Sequence, residues 1–451
     1  MTRLHDRFCR PLAAALLALA ACDDAVEPRR PDVVLIVIDT LRPDHLALDG
    51  YEAPTAPFLA ELAEGSAVFE RAHSTSSWTA PATASVFTGL YPTEHGVTLG
   101  FFAHRRMAEE LEAGEAVSLR PNRLPADRPT LPECFRRAGY RTFGVSTNVN
   151  IGPELGFDRG FDHFARLTGT ERNAAPGAET VAEQLRAWSE ELVGPEPRFL
   201  YLHFMDPHVP YHPREPWYEE HARRLGDDKE AAYDSEIDYL DRALAQLFDE
   251  HGWKEDTLVM ILSDHGDEFR EHGRVGHQDS LHGELMRVLA LVHAPNLGVG
   301  ARRHDGNVSL IDLVPTLCSL AGVEPPGEGG LDLGPLLLSA AGEMELADTL
   351  EQRLLFAHRG VPPGYTTDAL WAVVQGEWKL IRGPQGLQLF RHTDDRFEQE
   401  DLLAEHPELA RELEAVLERF AASASWGSGE RAELELDEEM LERLRELGYA
   451  E

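Results

Sequence analysis

Four places in the chain set a side chain of catalytic type against an apolar run or a helix start. Residues 33–38 are continuously apolar and stop at Asp39; residues 199–205 are mostly apolar and stop at Asp206-Pro207-His208. Residues 257–263 stop at Asp264-His265. The fourth place is Thr79, which precedes Ala80, Pro81, a run of small residues, Val86, Phe87 and Gly89. Proline is tolerated in a first helical turn, and glycine ends helices, so this stretch predicts a helix that begins at or just after Thr79. Carboxylate, imidazole and hydroxyl are groups that hold divalent cations or transfer an ester. A helix start adds free N–H groups and the positive end of the dipole, which suit an incoming oxyanion. Taken alone, Thr79 reads first as an ordinary N-cap.

The elements that must position these groups follow from the same runs. Continuous apolar segments suit central strands of a parallel sheet covered on both faces, and in such sheets sites form beyond the carboxyl ends of the strands. Residues 141–148 read as a further strand with polar residues at its end. Helices are expected at 56–69, 130–140, 181–193, 234–250 and 307–322, the last capped by Gly322. His203 lies inside its strand and reads as a satisfied core residue, His272 as a loop brace and His282 as a surface residue. Residues 370–381 read as a hairpin turning at Gly376, residues 387–390 as another strand, and 408–420 and 436–447 as amphipathic helices. The expected fold class is α/β: a large, mostly parallel central sheet flanked by helices, with a small C-terminal antiparallel sheet plus helix. The expected divisions are a signal segment at 1–21, a tether at 22–31, a catalytic domain at 32–330, and a C-terminal subdomain with terminal helices at 331–451.

The segment from Thr79-Ala80-Pro81 through Thr88-Gly89, Tyr91-Pro92 and His95-Gly96 resembles the nucleophile region of the sulfatase family within the alkaline phosphatase superfamily. Asp39-Thr40-Leu41-Arg42, Asp206-Pro207-His208-Val209-Pro210-Tyr211 and Ser263-Asp264-His265-Gly266 are similar to three further family blocks, in the family's order, and the resemblance runs over roughly residues 31 to 420. It implies one divalent cation held by Asp39, Thr79, Asp264 and His265, Thr79 as nucleophile, and His208 and His277 on the substrate. The imidazole favours Zn or Mn, with Ca or Mg as alternatives. The chain departs from the family at Thr79, where a Cys or Ser is converted to formylglycine, so no formylglycine is expected. It also has Thr83 in place of the motif arginine, Leu90 in place of a frequent basic residue, and Thr40 in place of a second aspartate.

Three arginines, an apolar run from 11 to 21 and Leu19-Ala20-Ala21-Cys22 look like a lipoprotein signal, with Cys22 as the lipidated residue. The expected location is therefore outside the cytoplasm, tethered to a bacterial membrane at the periplasm or cell surface. A net charge of −37 argues against nucleic acid as a partner. Cys134 and Cys318 read as buried free thiols, with a disulfide left open.

The leading functional reading is a metal-dependent ester hydrolase cleaving a phosphodiester or a phosphonate monoester, on a small-molecule, glycan-linked or lipid-linked substrate. Three alternatives stand beside it: a sulfuric ester hydrolase working without formylglycine, a phosphotransferase of head groups, and a non-catalytic binding protein on the same scaffold.

Overall fold

The computed structural model describes residues 30–100, 122–167, 177–226, 228–277, 279–360 and 369–426. The signal segment, Cys22, most of the tether, most of the polar insertion after residue 101 and the helix expected at 436–447 lie outside them. No helix among the described residues is long and apolar enough to cross a membrane.

Strand β1 (Asp32–Ile38) is the axis of the main sheet. Val33, Leu35 and Val37 enter one core while Val34, Ile36 and Ile38 enter another, so both faces of the strand are covered. That is why its sequence is apolar without alternation. Each of these six side chains is at most 1 % exposed, and burying one contributes about 1.5–3 kcal/mol. With β2 (Ala67–His73), β3 (Arg141–Ser146), β4 (His163–Arg166), β5 (Arg198–Phe204) and β6 (Thr257–Ser263), β1 shares a nine-stranded sheet. The short hairpin β7 (Glu268–Phe269) and β8 (Val275–Gly276) stands apart from it. The remaining strands of the main sheet are β9 (Arg287–Val288), β10 (Ala290–His293) and β11 (Arg302–Ser309). The order is β11-β2-β10-β6-β1-β5-β3-β4, with β9 on β2. β1 runs parallel to β5 and β6, and β10 is antiparallel to its neighbours.

Register is what gathers the site. Ile38 stands opposite both Phe204 and Ser263, so Asp39, Asp206 and Asp264 emerge at one rim. Ser146 stands opposite His203, which brings Asn148 to the same rim from β3.

The Thr79–Thr88 and Leu310–Ala321 helices cover one face of the sheet. The Pro57–Ala63, Ala178–Ala187 and Asp228–His251 helices cover the other. Several expected helices are shorter than their sequence suggests: the one expected at 181–193 runs Ala178–Ala187, and the one at 130–140 runs Leu131–Arg137. Residues 56–69 divide into a helix ending at Ala63 and strand β2, and residues 307–322 begin inside β11 before the helix starts at Leu310.

A second sheet is wholly antiparallel, β12 (Leu355–Arg359), β13 (Leu370–Gln375), β14 (Trp378–Gly383) and β15 (Gly386–Arg391). The Pro407–Ala422 helix packs on one of its faces. The other face meets Leu281, Leu285 and Met286 of the main part. Arg353 forks onto Asp312 with two contacts of 2.7 Å, a bidentate pair across the same seam. Cys134 and Cys318 are buried free thiols.

Candidate active site

Thr79 is the first residue of its helix, not the cap. Trp78 occupies the cap position with extended backbone (φ −163°, ψ 161°), and no side chain caps the helix. The Thr79 hydroxyl instead turns to the strand rim, 3.3 and 3.5 Å from the two Asp39 carboxylate oxygens and 3.4 Å from Nε2 of His265. Nε2 of His265 is also 3.5 Å from Asp39 Oδ1 and 3.6 Å from Asp264 Oδ2. Separations of this size are long for hydrogen bonds between hydroxyl, carboxylate and imidazole. They match the spacing of neighbouring ligands about 2.0–2.2 Å from a shared cation.

The orientation of each group points the same way. Nδ1 of His265 donates to the Gly266 carbonyl at 2.9 Å, which leaves Nε2 as the bare lone pair. Asp264 accepts the amides of His265 (2.9 Å) and Thr40 (3.3 Å) on Oδ1, while Oδ2 is buried with no partner among the described residues. Asp39, Asp264 and His265 are fully buried, and their ligand atoms lie within 4.8 Å of one another. An uncompensated carboxylate oxygen at such depth is costly unless something positive meets it.

Electrostatics divide the two acids. Burial would raise Asp39, but the imidazoles of His208, His265, His203 and His277 bring its carboxyl below the usual range. Burial and the neighbouring Asp39 charge drive Asp264 well above it. Burial, with His277, pushes His265 down to about 4, so it is a neutral donor at physiological pH. A cation between the acids would let both ionise.

His208 and His277 stand beside this group, their ring centroids 4.9 Å apart and His277 4.7 Å from His265. Nδ1 of His208 donates to the Val209 carbonyl and leaves Nε2 free. Nδ1 of His277 meets Asp267 Oδ1 at 2.7 Å. Burial acts to lower His277, yet the Asp267 carboxylate raises it on balance. Asp39, Thr79, Asp264, His265, His208 and His277 therefore lie along one rim.

Asn148 and Asp267 were not singled out, and some residues that were have other surroundings than expected. Asn148 donates from Nδ2 to Asp39 Oδ2 at 2.7 Å. The signal was a polar tail on an apolar strand, the same signal that marked Asp39. His203 is not a satisfied core residue: both ring nitrogens are buried without a partner among the described residues, and Nε2 is 3.8 Å from Asp39. Asp267 and Tyr211 lie two and three residues beyond recognised positions. Thr40 sits at φ 58°, rare for a β-branched residue, and its hydroxyl bonds the Pro207 carbonyl at 3.0 Å. His272 braces its loop between Glu284 (2.8 Å) and the Glu398 carbonyl (3.1 Å). His282 is buried rather than on the surface, stacked on His272 at 3.7 Å.

A family model described as Sulfatase matches residues 31–323, well over half of the chain. The chain belongs to the sulfatase family. N-acetylgalactosamine-6-sulfatase of Canis lupus familiaris is 24% identical over 427 residues, spanning 82% of this chain and 76% of that protein. A protein solved in complex with D-glucosamine-2-N,6-O-disulfate superposes with a TM-score of 0.67 at 15% identity, covering 89% of this chain and 99% of its own. The phosphonate monoester hydrolase of Agrobacterium radiobacter gives 0.66 at 18% identity, covering 91% and 99%. Like its relatives in the sulfatase family, the chain is an ester hydrolase. Sulfatase-family proteins use a divalent metal, and the donor set Asp39, Asp264 and His265 fits one.

Proposed function

We propose that this sulfatase-family protein cleaves a phosphodiester or a phosphonate monoester, with Thr79 as nucleophile and Asp39, Thr79, Asp264 and His265 as the ligands of one divalent cation. The observation that carries the reading is the Thr79 hydroxyl at the helix start, turned away from capping and set 3.3–3.5 Å from Asp39 and His265. A threonine is no precursor of formylglycine, so sulfate chemistry of the usual family kind lacks its nucleophile here. Imidazole with two carboxylates favours Zn or Mn over Ca or Mg.

A bound cation would lower the pKa of the Thr79 hydroxyl and polarise the transferred group. The chain does the rest. Asn148 fixes the Asp39 carboxylate, and the Gly266 carbonyl fixes the His265 ring. The N–H groups of the helix start hold the non-bridging oxygens, joined by Nε2–H of His208 and His277 when those rings carry a second proton, while Thr79 Oγ1 attacks in line. The Oγ1–phosphorus bond forms as the bond to the leaving oxygen breaks, and the Thr79 proton leaves with that alcohol; water then cleaves the Oγ1–phosphorus bond from the opposite side, restoring the Thr79 hydroxyl and releasing the phosphate monoester or phosphonate.

Thr79→Ala should abolish turnover on a panel of chromogenic phosphate diesters, phosphonates and sulfates while metal remains bound. Undiminished turnover in that variant would falsify the nucleophile assignment. Aryl sulfate turnover above every phosphoester would instead favour the sulfuric ester reading, which the disulfated-glucosamine complex among the structural neighbours keeps in view. The Leu19-Ala20-Ala21-Cys22 segment supports a lipid-anchored, extracytoplasmic placement, testable by fatty-acid labelling of the protein and of Cys22→Ser.

A further inference from the structure

His277 is fixed by a chain of contacts with residues outside the metal-ligand set. Asp267 is fully buried, and its two carboxylate oxygens are taken by groups from separate segments: Oδ1 by Nδ1 of His277 at 2.7 Å, Oδ2 by the Tyr211 hydroxyl at 2.6 Å. The short hairpin explains the first contact. Phe269 pairs with Val275 and Glu268 with Gly276, so Asp267 and His277 face each other one step beyond the last pair. The Asp267 backbone carbonyl is itself held by Nη1 of the buried Arg42 at 2.8 Å. Tyr211 comes from the loop after β5, three residues past His208, and its ring lies edge-on to Tyr233 at 5.6 Å and against Phe269 at 5.5 Å. Tyr233 in turn donates to the Thr40 carbonyl and accepts the Arg42 amide, both at 2.8 Å.

We propose that Asp267 and Tyr211 are positioning residues that lock the rotation of the His277 ring, so that Nε2 is the nitrogen presented to the transferred group. The inference rests on the function proposed above, and it ties the loop carrying His208 to the loop carrying His277 through one buried carboxylate. A carboxylate only accepts, so it holds the Nδ1–H edge and turns Nε2 outward, where a second proton makes it a donor to the oxyanion; an amide in its place can turn either its oxygen or its NH2 to the ring and no longer fixes that edge.

The test is a pair of double-mutant cycles, Asp267→Asn with His277→Ala and Tyr211→Phe with His277→Ala, on the phosphoester turned over best. Asp267→Asn should lower kcat about 100-fold and Tyr211→Phe about 10-fold, with KM, metal content and melting temperature near wild type. On the His277→Ala background each should cost less than about 3-fold, because the ring they hold is gone. A purely structural role would give the same loss on both backgrounds, and that additivity overturns the proposal. So does wild-type kcat in Asp267→Asn. If Asp267→Asn fails to fold, the Tyr211→Phe cycle decides, since it removes one hydroxyl. Retained activity in Thr79→Ala would sink the nucleophile reading on its own, whichever way the cycles fall.

Discussion

Thr79 and Asp39 illustrate how a single side chain changes meaning with its neighbours. A threonine at a helix start normally closes an orphan N–H; here the cap position belongs to Trp78, and the hydroxyl meets Asp39 and His265 instead. Asp39 in turn depends on Asn148, whose amide is its closest side-chain donor at 2.7 Å. Asn148→Ala should weaken metal binding or turnover about 10–100-fold, the usual cost of losing a group that orients a ligand. Calorimetric metal titration of that variant checks it; wild-type affinity and turnover would show that Asp39 needs no such support. The sequence exposed Asp39, Asp264, His265 and Thr79 because each interrupts an apolar or small-residue run. It hid the position of Asn148 relative to Asp39, because nothing local says that β3 lies two places from β1 in the sheet.

At the scale of elements, the site is a product of register and close approach. Strand ends at Ile38, Phe204 and Ser263 are level, and the loop after β6 is pressed against residues 284 and 285. Gly266 makes that approach possible: a Cβ there would stand 2.0 Å from the Glu284 carbonyl oxygen. Gly266→Ala should therefore push His265 and Asp267 out of place, with a stability loss of about 1–3 kcal/mol and weakened metal binding. Thermal unfolding and metal content measured together would detect both; an unchanged pair of values would mean the loop yields freely. The expected helices at 56–69 and 307–322 were too long for a related reason. Residues 67–73 and 302–309 pair with each other as β2 and β11, and that tertiary pairing overrides a run of apolar residues that either period would allow.

Across the whole molecule, the protonation of buried histidines away from the ligand set shapes the pH response. Burial pushes His95, His282 and His358 down to about 3 and His392 down to about 4. In the unfolded chain these groups take up protons below about 6.5, whereas the folded protein excludes them until pH 3–4. Stability from their burial is thus full above pH 6.5 and is lost as pH falls. His272 acts in the other direction. Burial opposes its charge, but Glu284 raises it to about 9, so its contribution is full below 6.5 and fades as pH rises through 9. Burial acts on acids in the opposite sense, raising Asp206, Asp241 and Glu398 to about 7, so these groups add stability as pH falls from 7. The histidine contribution is therefore read by difference: at constant ionic strength the melting temperature of His358→Gln should fall less, relative to wild type, between pH 6.5 and 5. The same difference between variant and wild type at both pH values would contradict the buried, neutral state of that ring.

The amino-acid order by itself determined the strands and helices that bear the site, their α/β class and the kinds of group they carry. It could do so because burial on two faces leaves an uninterrupted apolar record and a functional residue stands out as a break in it. Only the tertiary structure decided which breaks meet. Sheet order and register are set by packing between segments far apart in the chain, so Thr79 beside Asp39, Asn148 behind it, and Tyr211 on the carboxylate that holds His277 are facts of assembly with no local trace.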